Sequence, residues 1–216
     1  FQDHDLNVSS CVYPETTFGS VGNLDDYCFW IQAMLDLHSL APHANSKNPN
    51  HYFEKALKLT EQVIQKFKDP EMPGFFFTEN NYQTPLPCRK KIWYDNSTPS
   101  GNSTLLKIFA TLHHLSRDRK WRVEFEKNLA GYALLARKAP DGIAKALTAI
   151  CEDAIGILTI TTPQSKLSYE NISKIPSRPC FLSTQENLEK YQIKSGEGKV
   201  ILSSNEFTEL LEYMEK

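Results

Sequence analysis

Cysteine pairs at metal or redox spacing are missing from this 216-residue sequence. Its five cysteines, Cys11, Cys28, Cys88, Cys151 and Cys180, are odd in number and far apart, and none begins a Cys-x-x-Cys pair. That excludes a zinc ribbon and a dithiol redox motif, and it points to reduced thiols in a cytoplasmic protein rather than a disulfide framework. His113 and His114 are neighbours, so on a helix they point about 100° apart and cannot grip one ion. The expectation is no metal and no cofactor. Charge of one sign is also missing. The 24 Lys and Arg against 26 Asp and Glu leave a net charge of −2, which provides no footprint for nucleic acid or an anionic membrane surface. No apolar run nears the roughly 20 residues that cross a bilayer. The chain opens on Phe1 rather than Met, so a fragment or processed chain is expected. Asn7, Asn96, Asn102 and Asn171 each begin an Asn-x-Ser/Thr sequon, but such triplets are common by chance and give secretion little weight.

What is present is helical periodicity. Residues 1–22 lack it and read as irregular. Leu24, Tyr27, Cys28, Ile31, Met34, Leu35 and His38 then follow helical spacing, with Asn23 as N-cap and Asp26 three residues on. Trp30, Ala33, Leu37 and Leu40 fill a second apolar face, so this helix is expected to be buried on both sides. A helix from about His51 to Phe67 has one apolar stripe and one charged stripe. Gly74 to Thr78 and Thr84 to Ile92, either side of Glu79-Asn80-Asn81, read as a short β-hairpin inserted between helices. A third helix opens with Thr98 as N-cap and Pro99 in the first turn and runs to about Leu115, mostly buried. A fourth, amphipathic, covers Lys120 to Arg137. A fifth, buried, opens at Asp141 and runs through Leu158. In the tail, Arg178–Leu182 and Lys199–Leu202 are β-prone, and a terminal helix follows Asn205.

This alternation of buried and amphipathic helices suits stacked helical hairpins whose inner helices run one way. The loops holding Asp25-Asp26, Trp93 to Ser103 and Asp141-Gly142 would then open on one face. Trp93 to Ser103 packs an aromatic pair, a carboxylate, two asparagines and four hydroxyls into eleven residues ahead of a helix. Free amides and the dipole make such a helix start suited to a polar ligand. Asp26 and Asp95 are the candidate acid/base pair, since glycoside chemistry needs two carboxylates at about 5–5.5 Å or 6.5–9.5 Å. Asp25, Trp93, Tyr94, Ser100 and Asn102 are the candidate binding residues for a small polyhydroxylated ligand, the aromatics as a sugar-stacking platform. The alternative for each is structural: Asp25 and Asp26 capping a helix, Asp95 ordering its loop, Asn102 supporting Asp95, the aromatics packing. Ser100 and Ser103 have no nearby histidine and make poor nucleophiles.

Gly22-Asn23-Leu24-Asp25-Asp26-Tyr27, Gly74-Phe75-Phe76-Phe77-Thr78 and Tyr94-Asp95-Asn96-Ser97-Thr98-Pro99-Ser100-Gly101-Asn102-Ser103 resemble, in order and spacing, the C-terminal half of the YyaL-like family, the spermatogenesis-associated protein 20 type included. The resemblance covers roughly Gly22 to Leu158. It implies a mainly all-α fold, a partial (α/α)6 toroid similar to the barrel of N-acylglucosamine 2-epimerases, with a short β-hairpin insertion and a small α/β C-terminal tail. The domain organisation is then 1–22, an irregular segment; 23–162, the partial barrel; and 163–216, the tail. Five long helices are too few to close a six-hairpin ring, so the first hairpins and a thioredoxin-like domain would come from sequence outside this chain. Two departures matter. Asn96 and Ser97 stand where Gly and Ala are usual in the family, and the redox cysteine pair of the thioredoxin domain is absent, so no redox activity carries over. The function implied is a barrel module that binds or transforms a carbohydrate-like ligand in an epimerase- or glycosidase-like way. The alternative is a non-catalytic scaffold or protein-interaction module serving the thioredoxin-like domain.

Overall fold

The computed structural model describes residues 7–12, 19–40, 50–81, 87–163, 166, 169–175, 180–185 and 187–215. The chain divides into two compact units, one of Phe1–Leu35 with Phe53–Cys151 and one of Asp36–Tyr52 with Glu152–Lys216.

In the first unit, residues expected to be irregular form β1 (Ser9–Val12) and β2 (Gly19–Val21), an antiparallel pair. Gly22 N–H donates to Val8 O at 2.9 Å and closes this ribbon next to helix α1 (Leu24–Leu40). The first α1 stripe, Leu24 to Leu35, is buried as the spacing predicts. The second is not. Ala33 is exposed, and Leu37 and Leu40 are 41% and 47% exposed. Helix α2 (His51–Phe67) is amphipathic, burying Ala56, Leu59, Val63 and Phe67.

The inserted hairpin is a correction. Among the described residues of 74–92, a range that omits 82–86, there is no paired strand, only an isolated Lys68–Phe75 bridge and a Phe77 N–H to Lys90 O bond of 2.7 Å. The reason is a competing side chain. Asn102 takes both main-chain polar groups of Phe75, and these would otherwise pair with a strand.

Helix α3 (Gly101–Ser116) is the centre of the unit, with most of its residues buried. Its cap is Ser100 rather than Thr98, and Pro99 precedes the cap. Phe109 stacks on Trp121 at 6.2 Å between ring centroids and meets Phe75 at 5.9 Å. Arg117 ends the helix in the left-handed region, φ 60°, with its N–H on His113 O. The long fourth helix divides into α4 (Arg119–Ala130), capped by Asp118, and α5 (Ala133–Lys138). Between them Gly131 and Tyr132 donate to Asn128 O and Leu129 O, three residues back, which tightens the turn and ends the α-helical ladder. A 3-10 turn (Pro140–Ile143) then leads into α6 (Ala144–Ile155). Asp141 lies within that turn instead of capping α6. Nor is α6 fully buried: only Ala146 and Ala149 are covered, and Ile155 is 67% exposed.

The second unit holds a sheet of β3 (Leu158–Pro163), β4 (Cys180–Gln185), β5 (Tyr191–Lys194) and β6 (Val200–Ser204), in the order β4-β3-β5-β6. Helix α7 (Tyr169–Ser173) lies between the parallel strands β3 and β4, and the other pairings are antiparallel. Helix α8 (Phe207–Glu215) contributes Leu210 and Met214 to a core with Ile160, Tyr191 and Ile193. Leu158, expected at the end of the fifth helix, starts β3 because Gly156, at φ +90°, turns the chain out of α6. No described helix is long and apolar enough to cross a membrane.

His114, 6% exposed in the last turn of α3, has its imidazole pushed down to about 4 by burial, then by the charges of Arg117 and His113. Between that value and the ordinary 6.5 the unfolded chain binds more protons than the folded one. Its contribution to stability is therefore complete above pH 6.5 and is lost as pH falls through 6.5 towards 4. Urea midpoints at pH 7 and pH 5 are expected to differ less in His114→Gln than in the wild type.

Candidate functional site

Three amides at the start of α3 find side-chain oxygen partners. Ser100 N–H donates to Asp95 Oδ1 at 2.9 Å, Gly101 N–H to Asp25 Oδ1 at 2.7 Å, and Ser103 N–H to Ser100 Oγ at 3.2 Å. Asp95 also reaches a second helix: its Oδ2 accepts Lys145 N–H at 2.8 Å, and its own N–H donates to Gly142 O at 2.8 Å. Asp25 sits in the first turn of α1, so the starts of α1, α3 and α6 are brought together by two carboxylates. Each acceptor satisfies an amide that a helix leaves unpaired, and each negative charge sits where the dipole favours it.

Asp26 faces the other way. Its Oδ2 accepts Asn23 N–H at 2.8 Å, as in a capping box, and also accepts the Ser10 hydroxyl from β1. Burial holds the neighbouring Asp25 carboxyl above its ordinary value against the opposing pull of the Gly101 amide, and the Asp26 charge adds to the rise. The Cys28 thiol, fully buried with Sγ 3.5 Å from Gly101 O, is pushed up by burial and then by Asp25 and Asp26.

Asn102 is completely buried with its side chain saturated: Oδ1 accepts Phe75 N–H at 2.8 Å, and Nδ2 donates to Phe75 O at 2.9 Å and Ile92 O at 3.0 Å. It holds the Phe75 segment and the Ile92 segment, rather than Asp95. Trp93 lies in a slot between two glycines. A Cβ on Gly74 would stand 2.4 Å from its ring and one on Gly131 2.2 Å. Tyr132 meets Trp93 edge-on at 4.9 Å. Tyr94 is 47% exposed, and its ring lies so close to Gly142 that a Cβ there would stand 2.7 Å from Cδ1. The Ser100 hydroxyl is 2.9 Å from Ser103 Oγ, which is itself 3.1 Å from the Tyr132 hydroxyl.

Three members of this network were not among the sequence candidates: Cys28, Tyr132 and Asn128, whose Nδ2 donates to Asn102 O at 3.0 Å. Tyr132 carried a readable signal in the Gly-Tyr pair that interrupts a helical pattern. Asn128 carried none. Among the described residues, no three His, Cys, Asp or Glu side chains gather as a metal site.

Asp95→Ala removes acceptors from two helix starts and is expected to lower unfolding free energy by about 1–4 kcal/mol, at 0.5–2 for each cap. Asp95→Asn keeps one acceptor and should lose less, as read from denaturant midpoints. Asp25 behaves differently with pH. Its raised folded value means that the folded chain holds the proton longer, so its contribution is most favourable below 3.8 and diminishes as pH rises through the folded value. Asp25→Asn retains an oxygen for the Gly101 amide, and at pH 7 is expected to be at least as stable as the wild type.

No family model matches the chain. Spermatogenesis-associated protein 20 of Rattus norvegicus is 28% identical over 148 residues, 67% of this chain and 18% of that protein. The protein of the same name from Mus musculus is 26% identical over 148 residues, with the same shares. That of Homo sapiens is 26% identical over 129 residues, 60% of this chain and 16% of its own length. The match therefore spans less than a fifth of these curated relatives, and on this sequence similarity the chain is a distant homologue of spermatogenesis-associated protein 20.

Proposed function

We propose that this chain supplies part of a helical-hairpin toroid and works as a non-catalytic scaffold within a longer protein. The observation that carries the reading is the use of Asp95: each of its oxygens accepts a main-chain amide, one at the start of α3 and one at the start of α6. A general acid or base must offer its oxygens to substrate. Here they join helices, and inner helices joined at their starts are what a toroid of hairpins requires. Distant homology to a much longer protein supports the view that the partner surfaces lie largely in the rest of the same protein, including a thioredoxin-like domain and the earlier hairpins. A cytoplasmic setting goes with five cysteines that are odd in number, far apart in sequence and without a Cys-x-x-Cys pair.

A second reading has its own support. Asp25, with its carboxyl raised by burial, sits next to Asp26, and Tyr94 offers an exposed ring in the same loop as Asp95. A carbohydrate-like ligand bound or transformed in an epimerase- or glycosidase-like way would use Asp26 and Asp95 for proton transfer, and Asp25, Trp93, Tyr94, Ser100 and Asn102 for binding. One experiment separates the readings. The full-length protein is titrated with a panel of monosaccharides and disaccharides while its melting temperature is followed. On the scaffold reading no sugar gives a saturable rise. A saturable rise that disappears in Tyr94→Ala, a variant that leaves the helix caps in place, would overturn the scaffold reading.

A further inference from the structure

Strand β6 (Val200–Ser204) stands at the outside of the second unit's sheet. Among the described residues it pairs with β5 alone, and its main-chain N–H and C=O groups make no bond beyond that ladder. The opposite edge is different, because the Leu182 N–H of β4 donates to Ser39 Oγ at 3.1 Å. An open edge presents a row of donors and acceptors at the spacing of a strand, and β6 holds no proline to interrupt that row. Its register against β5 is regular from Ser204 to Leu202 and then skips Ile201, a bulge. Val200 and Ile201 are 44% and 41% exposed.

Ile201 also lines a cavity of about 390 Å³ at the end of the sheet where β3 begins. Ile155, Leu158 and Tyr213 of α8 supply most of its apolar wall, and Glu197 stands in the wall formed by the β5–β6 turn. The Ser195 hydroxyl in that turn is already taken by the amides of Glu197 and Lys199, both at 3.3 Å. A strand laid beside β6 would therefore pass an apolar hollow at the level of Ile201.

The surroundings are acidic. Residues 191–215 hold Glu197, Glu206, Glu209, Glu212 and Glu215 against Lys194 and Lys199. All of these glutamates are exposed, and none is held in an ion pair among the described residues. Glu197 precedes β6 and Glu206 follows it, so a carboxylate flanks the strand at each end. A second copy of this chain would bring the same excess of negative charge to the edge, whereas a segment carrying lysine or arginine gains from it.

We propose that β6 is a docking edge for an extended segment of a partner polypeptide with alternating apolar and basic side chains. The segment adds to the sheet as a fifth strand through its main chain, one apolar side chain enters the cavity beside Ile201, and basic side chains meet Glu197 and Glu206. Every residue involved lies in the second unit, so the proposal does not rest on the scaffold reading.

The test uses the full-length protein and three labelled peptides, each acetylated and amidated: Lys-Val-Lys-Val-Lys-Val, Glu-Val-Glu-Val-Glu-Val, and the first peptide with every backbone amide N-methylated. Binding is followed by fluorescence anisotropy, and the amides of β6 by hydrogen–deuterium exchange. The lysine peptide is expected to bind saturably, at least about tenfold more tightly than either of the others, and to slow exchange at Val200–Ser204. Ile201→Lys, at an exposed edge position, is expected to weaken binding at least about tenfold. Leu134→Lys, on α5 of the first unit and 60% exposed, should leave it unchanged. Absence of saturable binding overturns the proposal. So does equal binding of the acidic or the methylated peptide, binding without slowed exchange at β6, binding that survives Ile201→Lys, or binding lost in Leu134→Lys. If Ile201→Lys does not fold, the peptide series and the exchange data decide the matter. Exchange at β6 that slows with protein concentration alone, with a matching rise in sedimentation coefficient, would give the edge to a second copy and overturn the proposal as well.

Discussion

Helix dipoles repel when their positive ends are gathered in one place, and the first unit gathers three of them. The carboxylate of Asp95 makes that arrangement stable by accepting Ser100 N–H with one oxygen and Lys145 N–H with the other. Asp25 adds α1 through Gly101 N–H. Each bond removes an unpaired donor and places negative charge on a positive helix end, so the two effects reinforce one another. The position of α3, and with it the buried stripe from Leu105 to Leu112, follows from these few oxygens.

The residues around this junction share one chemical habit: polar groups inside the protein are matched by neighbours far away in sequence. Asn102 matches Phe75 and Ile92, Ser100 and Ser103 join Tyr132, and Glu124 joins Lys68. A satisfied network of this kind specifies one arrangement, because any shift strands several donors together.

Much of this was legible from residue patterns, and the reasons for the remainder are physical. The capping box of Asn23 and Asp26 is a local rule, and the structure forms the Asn23 N–H to Asp26 bond. The first stripe of α1 and the burial of α3 follow from spacing alone. Local rules also put the α3 cap at Thr98, two residues early, because the choice of Ser100 depends on Asp95 and on Asp25, which lies 76 residues from Gly101. The aromatic run at 75–77 has strand propensity, yet a buried asparagine 27 residues away occupies its edge. In the tail, Leu158 to Pro163 is a threonine-rich strand that periodicity joined to the preceding helix, although Gly156 marked the break. The second apolar face of α1 was readable as apolar, but no window of sequence could say which neighbours would cover it.

Trp93 in its slot has a consequence for how this protein can change. Gly74, at φ +92°, and Gly131 each leave the indole no room for one additional carbon, and the three positions lie far apart in the chain. None can be altered alone without a clash or a void, so they form a single unit of variation. A lineage that gives up the tryptophan releases Gly131 to drift while the positive φ of Gly74 still favours glycine, whereas one that keeps it binds two distant segments to the smallest residue.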